Sequence, residues 1–475
     1  MKRTALLFLL LIPFLSSGQW NQPAGSVGKE YPRTDFNSYE RRDDAVTLDP
    51  ERSDYYLSLN GEWGFTISDP GSLNPAFLSG ERGSYDTKPV PGYWDNMTPT
   101  ALDGLTAPQL PSDNRAGIYR QFVTIPVGWL DRDIFVKVKG LKSGAGLYIN
   151  GNYVGYAEDS SVSAEFNISK FVSDGTNVIA IAVYKWTTGS WMENASLTGT
   201  GIEAGVSLYS QPRVHIQDFF VRTSTDADHK KGFIDMDIVV VNNSNYESAA
   251  EAWFDLMDHN GKVVRYNYKE IIVPGTGGKD TVSFRAEVPN AKLWCTNDPY
   301  QYSLMLRVKH NGRFTEYIPY KVGIRNIEAN GEVVNLNGQA VTLNSYEYNY
   351  NGTGFRKETI KDELMDLKKQ GYNIISCAYH PDKNLVYSIC DELGILVTDV
   401  INIDASLTGN SKAEGGTLGN NPDFVNPYVQ RTEEAYYNSR NHTSVIELNF
   451  SEKAGRGYNI YRVNQKLKEL YRKCN

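Results

Sequence analysis

From about Leu57 to Tyr209 the chain alternates apolar and polar residues in short runs broken by Gly, Pro, Asn and Asp. Ile134-Phe135-Val136-Lys137-Val138, Gly146-Leu147-Tyr148-Ile149-Asn150 and Val178-Ile179-Ala180-Ile181-Ala182-Val183-Tyr184 are three of these runs. Period-two alternation predicts half-buried strands. Asn150-Gly151 predicts a two-residue hairpin, since both of its turn positions take positive φ. The region reads as an antiparallel sandwich of the jelly-roll type. A second all-β stretch follows from about Val214 to Ile324, with strands such as Ile234–Val241 and Tyr302–Val308. Its length and strand spacing fit an immunoglobulin-like sandwich.

After Glu332 the period changes. Val333–Leu336 and Val341–Leu343 are short strands around Asn337-Gly338. Lys357 to Gln370 then places Ile360, Leu364 and Leu367 on one helical stripe. The strand Asn373–Ser376, a helix from Asn384 to Leu393 and the apolar strand Gly394–Thr398 come next. A helix from about Asn426 to Ser439, the strand Ser444–Leu448 and a last helix from Gly457 to Arg472 complete the series. Strands alternating with helices predict a parallel α/β unit. About four such units fit, whereas a closed eight-unit barrel takes roughly 250 residues. The expected fold is therefore multi-domain: a jelly-roll β-sandwich, an immunoglobulin-like β-sandwich and a partial (β/α) TIM-type barrel. The expected boundaries are 19–211, 212–325 and 326–475, after a signal peptide at 1–18.

That leader is read from Lys2 and Arg3, the apolar run Ala5 to Leu15 and the small residues Ser16-Ser17-Gly18. The run is shorter than the roughly 20 residues that span a bilayer, and no cysteine follows it for lipid attachment. The expected location is periplasmic or secreted, without membrane insertion. A net charge of −8 with no basic block argues against nucleic acid as a partner. The 31 tyrosines and 8 tryptophans suit sandwich cores and also sugar binding, where aromatic faces meet pyranose C–H groups. Cys295, Cys377, Cys390 and Cys474 are too scattered for a disulfide framework or a zinc site, and the six histidines are never paired at ligand spacing.

Several motifs occur in one order: Leu59-Asn60-Gly61-Glu62-Trp63-Gly64-Phe65, Val90-Pro91-Gly92-Tyr93-Trp94, Gly117-Ile118-Tyr119-Arg120, Leu147-Tyr148-Ile149-Asn150-Gly151 with Val154-Gly155-Tyr156, Leu293-Trp294 with Asp298-Pro299-Tyr300, and Val322-Gly323-Ile324-Arg325. From about residue 50 onward the chain resembles glycoside hydrolase family 2, within it the β-galactosidase group. The resemblance implies a jelly roll, an immunoglobulin-like domain and a catalytic barrel, the layout already reached from periodicity. It also implies retaining chemistry by two carboxyl groups about 5 Å apart, the acid/base after the fourth barrel strand and the nucleophile after the seventh.

The site motifs depart from that pattern. The family's Ser-Val-Ile strand leading to Gly-Asn-Glu is here Ser444-Val445-Ile446-Glu447-Leu448-Asn449-Phe450-Ser451-Glu452-Lys453. Aligned without a gap, the acid/base position falls on Lys453, and a one-residue slip gives Glu452. The sequence ends after the fourth strand and its helix, so the nucleophile segment is expected to be missing. The family's Arg-His-Glu-His turn becomes Ser345-Tyr346-Glu347-Tyr348, its Ser-His-Tyr-Pro turn Ala378-Tyr379-His380-Pro381, and its Asp-Glu-Ala-Asn stretch Asp399-Val400-Ile401-Asn402. The jelly-roll loop Glu193 to Ile202 has lost the family's Asp, Trp and Arg. The resemblance leaves Asn402, Glu347 and Tyr379 as substrate-binding candidates and no preserved magnesium or sodium site, so no cofactor is expected. The implied function is a β-galactosidase-family homologue without hydrolytic activity of its own, kept for binding a carbohydrate or a protein. The alternative is an active retaining β-galactosidase completed by a second chain or downstream frame. The free edge of the fourth strand predicts a homo-oligomer or partner chain docked on the half-barrel.

Overall fold

The computed structural model describes residues 19–330, 333–350, 352, 356–409 and 416–472. The expected signal peptide at 1–18 lies outside the described residues. The first sandwich stacks two antiparallel sheets. The larger holds, in spatial order, Asp86–Val90, Gly61–Ser68, Ala116–Ile125, Gly175–Tyr184, Gly144–Ile149 and Asn152–Glu158. The smaller centres on Gly199–Gln211, flanked by Tyr56–Ser58 and Asp133–Lys142. Between them Trp63, Phe65, Tyr119, Val136, Leu147, Ile179 and Leu208 are buried. The predicted Asn150-Gly151 turn is present, with φ of 51° and 79°, the left-handed region that Asn and Gly enter at least cost.

The second sandwich faces a three-stranded sheet (Val214–Thr225, Lys231–Asn242, Gly278–Pro289) against a four-stranded one (Val263–Val273, Ser248–Met257, Tyr302–His310, Arg313–Val322). Along Lys231–Asn242 the inward residues Ile234, Met236, Ile238 and Val240 are buried and Phe233, Asp235, Asp237 and Val239 less so, the period-two pattern that fixes strand register. A short antiparallel meander, Ile327–Asn330, Val333–Leu336 and Gln339–Val341, leads into the barrel part.

Four parallel strands follow in chain order: Ser345–Glu347, Ile374–Cys377, Leu396–Val400 and Val445–Asn449. Helices Lys357–Lys369, Lys383–Leu393, Val425–Ser439 and Tyr458–Arg472 accompany them. The second of these begins under Asp382, whose side chain accepts from Leu385 N, and ends at Gly394 with φ of 71°. A side chain there would also collide with the Thr296 carbonyl, 2.6 Å from an ideal Cβ, so Gly394 both stops the helix and admits the loop from the second sandwich. Among the described residues Val445–Asn449 pairs only with Leu396–Val400, and the Arg325 guanidinium donates to the Val445 carbonyl.

The sequence assigned everything from Gln19 to the jelly roll, but the structure uses the first residues as a strap across all three units. Val27 bridges to Tyr156, Arg33 pairs with Glu165, Thr34 donates to the Phe219 carbonyl and Tyr39 bridges to Tyr317. The Gln430 side chain accepts from Ser26 N, and Lys29 pairs with Glu434. A strap of this kind has no periodic face of its own, which is why hydrophobic patterning did not separate it.

Each sandwich has a complete core: one drawn from residues 59–208, the other from 214–324. A third core is shared. Trp186, Trp191 and Met192 of the jelly-roll loop pack with Ile401, Ile403, Phe424, Tyr428 and Val463 of the barrel part, and Trp294 packs with Leu336, Ile374 and Leu396. A fragment from Gln19 to Arg325 is therefore expected to unfold cooperatively, yet to bind a hydrophobic dye that the full chain excludes, because these tryptophans lose their cover. A fragment that unfolds gradually or remains insoluble would show that the sandwiches need the barrel part to fold.

Candidate functional site

Catalytic residues on barrels of this type sit at the C-terminal strand ends, and here the four strand ends converge. Glu347 closes the first strand, Tyr379 follows the second, Asn402 and Asp404 follow the third, and Glu452 and Lys453 follow the fourth. With Glu193 and Ser196 from the jelly-roll loop they line one cavity of about 440 Å³. Every residue singled out from the sequence is thus on the same wall, but the side chains are not equally available.

Asn402 is nearly buried. Its amide donates to Asp159 at 2.9 Å and to Glu193 at 3.2 Å, so its NH2 group points into the protein. The Tyr379 hydroxyl is also spent inward: it donates to Glu203 and accepts from Lys142 Nζ at 2.8 Å. The Tyr379 hydroxyl is thus engaged by two buried groups, and its ring is the part that lines the cavity. Glu347 is exposed and accepts from Asn349 Nδ2 at 2.8 Å. Lys453 is 59% exposed, with Asp404 Oδ2 at 3.9 Å. Glu452 is exposed, and among the described residues its carboxylate makes no hydrogen bond or ion pair. The two therefore stand as separately solvated side chains.

Beneath the cavity lies a charge cluster that the sequence reading did not identify. Glu193, only 1% exposed, accepts from Ser160 N and Oγ, from Asn402 and from Arg431 Nη1 at 2.7 Å. Arg431 also lies 3.8 Å from Asp159 and donates to the Asn402 carbonyl. Burial works against its charge, but Glu193, Asp159 and Glu158 outweigh that and raise its pKa. Burial pushes Glu158 up to about 7 and also raises Glu434. On the other side of the cavity floor, burial pushes Glu203 up to about 7 and Lys142 down to about 8. The sequence signals were present but faint. Glu158-Asp159 closes an apolar strand, and Arg431 falls on the same helical face as Tyr428, Thr432 and Ala435, all buried.

These shifts set the sign of a pH dependence. Between about pH 4.5 and 7, Glu158 and Glu203 hold protons in the folded chain that the unfolded chain has released, so unfolding free energy falls as pH rises. Each contributes on the order of 3 kcal/mol across that window. Above pH 8 Lys142 reverses the trend, because the folded chain then holds fewer protons than the unfolded one. Burial lowers His215 to about 3 and His380 to about 4, which works the other way up to about pH 6.5, so the expected signature is a difference: from pH 5 to pH 7.5 the urea midpoint of Glu158→Gln with Glu203→Gln should gain on that of the parent chain. A gap between the two proteins that stays constant or closes over this range would contradict the assignment.

Among the described residues no group of three or more carboxylate, imidazole or thiol side chains is placed to hold a metal ion.

Three family models match in series: "Glycosyl hydrolases family 2, sugar binding domain" over residues 56–212, "Glycosyl hydrolases family 2" over 214–325 and "Glycosyl hydrolases family 2, TIM barrel domain" over 326–472. Among curated proteins, a β-galactosidase of Priestia megaterium is 27% identical over 463 residues, covering 91% of this chain and 44% of the relative. One from Pectobacterium atrosepticum is 28% identical, covering 96% of this chain and 45% of the relative. The chain thus spans about half the length of these relatives. Among solved structures, Bacteroides uniformis β-glucuronidase 2 superposes with a TM-score of 0.69 at 19% identity, over 87% of this chain and 50% of that one. A β-glycosidase from Bacteroides vulgatus gives 0.70 at 18% identity, over 88% and 53%. At such identities the structural likeness concerns the fold.

Proposed function

The chain belongs to glycosyl hydrolase family 2, and from that premise we propose that it binds carbohydrate at the barrel strand ends without hydrolysing it. The observation that carries this reading is Lys453, exposed after the fourth strand, where the resemblance aligns the acid/base residue. A glycosidase acid is a carboxyl group kept protonated by a secluded environment, and Glu452, the adjacent candidate, stands in solvent. What supports binding is the cavity: Tyr350 and Tyr379 offer ring faces, Glu347 and Asp404 offer acceptors, and the cluster under Asn402 holds the floor rigid. The leader-like pattern of Lys2 to Gly18 supports export to the periplasm or beyond. Among the described residues Val445–Asn449 is paired on one side only, which supports a second copy or a partner chain docking beside it.

A second reading rests on Glu452, which lines the same cavity. In it the protein is a retaining β-galactosidase whose remaining strands come from another chain, with Glu452 as the acid. Titration with lactose and with methyl β-galactoside tests the binding claim. Binding is expected in the millimolar range and should weaken at least tenfold in Asn402→Ala. Equal affinity in that variant, or no binding at all, would remove the sugar from this cavity.

A further inference from the structure

A second cleft, sharing no residue with the barrel-face cavity, runs between the two sandwiches. It measures about 1000 Å³ and adjoins a smaller space of about 210 Å³, at or above the upper end of ligand-sized clefts, about 300–1000 Å³. The strap contributes Glu30, the jelly roll Asn167 and Phe171, and the second sandwich Asn243, Asn245 and Tyr246. Its floor is fixed by Asp133, 1% exposed, which accepts from Arg213 Nη1 at 2.6 Å and from Asn243 Nδ2 at 2.7 Å.

The rim is held as firmly as the floor. The Asn242 side chain donates to the Tyr246 and Val273 carbonyls and accepts from Ser244 N and Oγ. Thr276 N donates to the Ser244 carbonyl and Gly277 N to the Asn242 carbonyl, tying two turns together. A side chain at Gly275 would strike the Tyr246 backbone, 2.7 Å from an ideal Cβ. On this braced turn the Tyr246 side chain is 80% exposed. An aromatic ring presented on a rigid loop costs little ordering entropy when it meets a ligand.

The chemistry of the walls selects the ligand. In the larger cleft Glu30 and Asp133 are matched in number by Lys170 and Arg213, so its walls carry no net charge. Amides, hydroxyls and a half-buried carboxylate alternate with the faces of Tyr246 and Phe171. We propose that this cleft is a second carbohydrate site, for a neutral oligosaccharide longer than one residue, with Tyr246 packing on a sugar ring and Asn243, Asn245 and Glu30 meeting its hydroxyls. This inference is independent of whether the barrel face binds or hydrolyses sugar.

Calorimetric titration of the full chain with cellotetraose and with β-1,4-galactotetraose tests it, with trigalacturonate as an acidic control. With the barrel face filled by excess methyl β-galactoside, at least one neutral tetrasaccharide should bind, at least tenfold more weakly to Tyr246→Ala and equally well to Tyr266→Ala, an exposed tyrosine outside both clefts. Because Tyr246 is exposed, the melting temperature of Tyr246→Ala should match that of the parent chain. Failure of both neutral sugars to bind, preference for the acidic control, binding that Tyr246→Ala leaves intact, or binding that Tyr266→Ala weakens as much, would each overturn the proposal.

Discussion

Arg431→Met is expected to lower the unfolding free energy by about 3–5 kcal/mol, the cost of stranding buried charges by removing their partner. Arg431 is the cation between Glu193 and Asp159, both buried, with Glu158 near by. Methionine fills comparable volume, so the loss reports charge and hydrogen bonding rather than a cavity. In a protein whose total stability is of order 5–15 kcal/mol, most of the margin would disappear. The loss should shrink towards pH 5, where Glu158, pushed up to about 7 by burial, carries a proton and adds no stranded charge. It should also shrink when Glu193→Gln and Asp159→Asn are added. A loss below about 1 kcal/mol, or one indifferent to pH, would show that the cluster is not what fastens the barrel part to the jelly roll.

How much of this was legible in the sequence depends on which kind of signal each feature carries. Lys383–Leu393 and Val425–Ser439 could be read to within a residue or two, because their apolar stripes are local, whereas Gly394, read as the start of the next strand, is the helix cap. The Asn150-Gly151 hairpin was legible for the same reason. The strap from Ser26 to Tyr39 was not, since its partners, Tyr156, Glu165, Phe219, Tyr317 and Gln430, are distant in sequence. Family motifs brought Glu347, Tyr379, Asn402 and Lys453 to one cavity, but motifs do not say where a side chain's polar atoms point. Tyr379 shows the difference: its position follows from the strand, while its hydroxyl direction follows from Glu203 and Lys142, two charged residues on neighbouring strands of the jelly roll. The Arg431 cluster likewise exists only once the jelly-roll loop and a barrel helix meet.

The second large effect concerns catalysis. A retaining glycosidase requires a proton at the leaving oxygen as the glycosidic bond breaks, and removing such a group costs factors of thousands or more in rate. Lysine serves as an acid near neutral pH only where burial strips its charge, and Lys453 is more than half exposed. Glu452 has the right functional group but is exposed, outside the secluded setting in which a glycosidase acid works. The chain should therefore release no product from nitrophenyl β-galactoside, β-glucuronide or β-mannoside above the rate of a buffer blank.

The most direct measurement is the rate of nitrophenol release from nitrophenyl β-galactoside by the purified chain beside its Glu452→Gln and Lys453→Ala variants. The account predicts three traces that coincide with the blank, from proteins that still show the same cooperative unfolding. Steady turnover by the parent chain that vanishes in Glu452→Gln would contradict it, and would make Glu452 the acid of a working glycosidase.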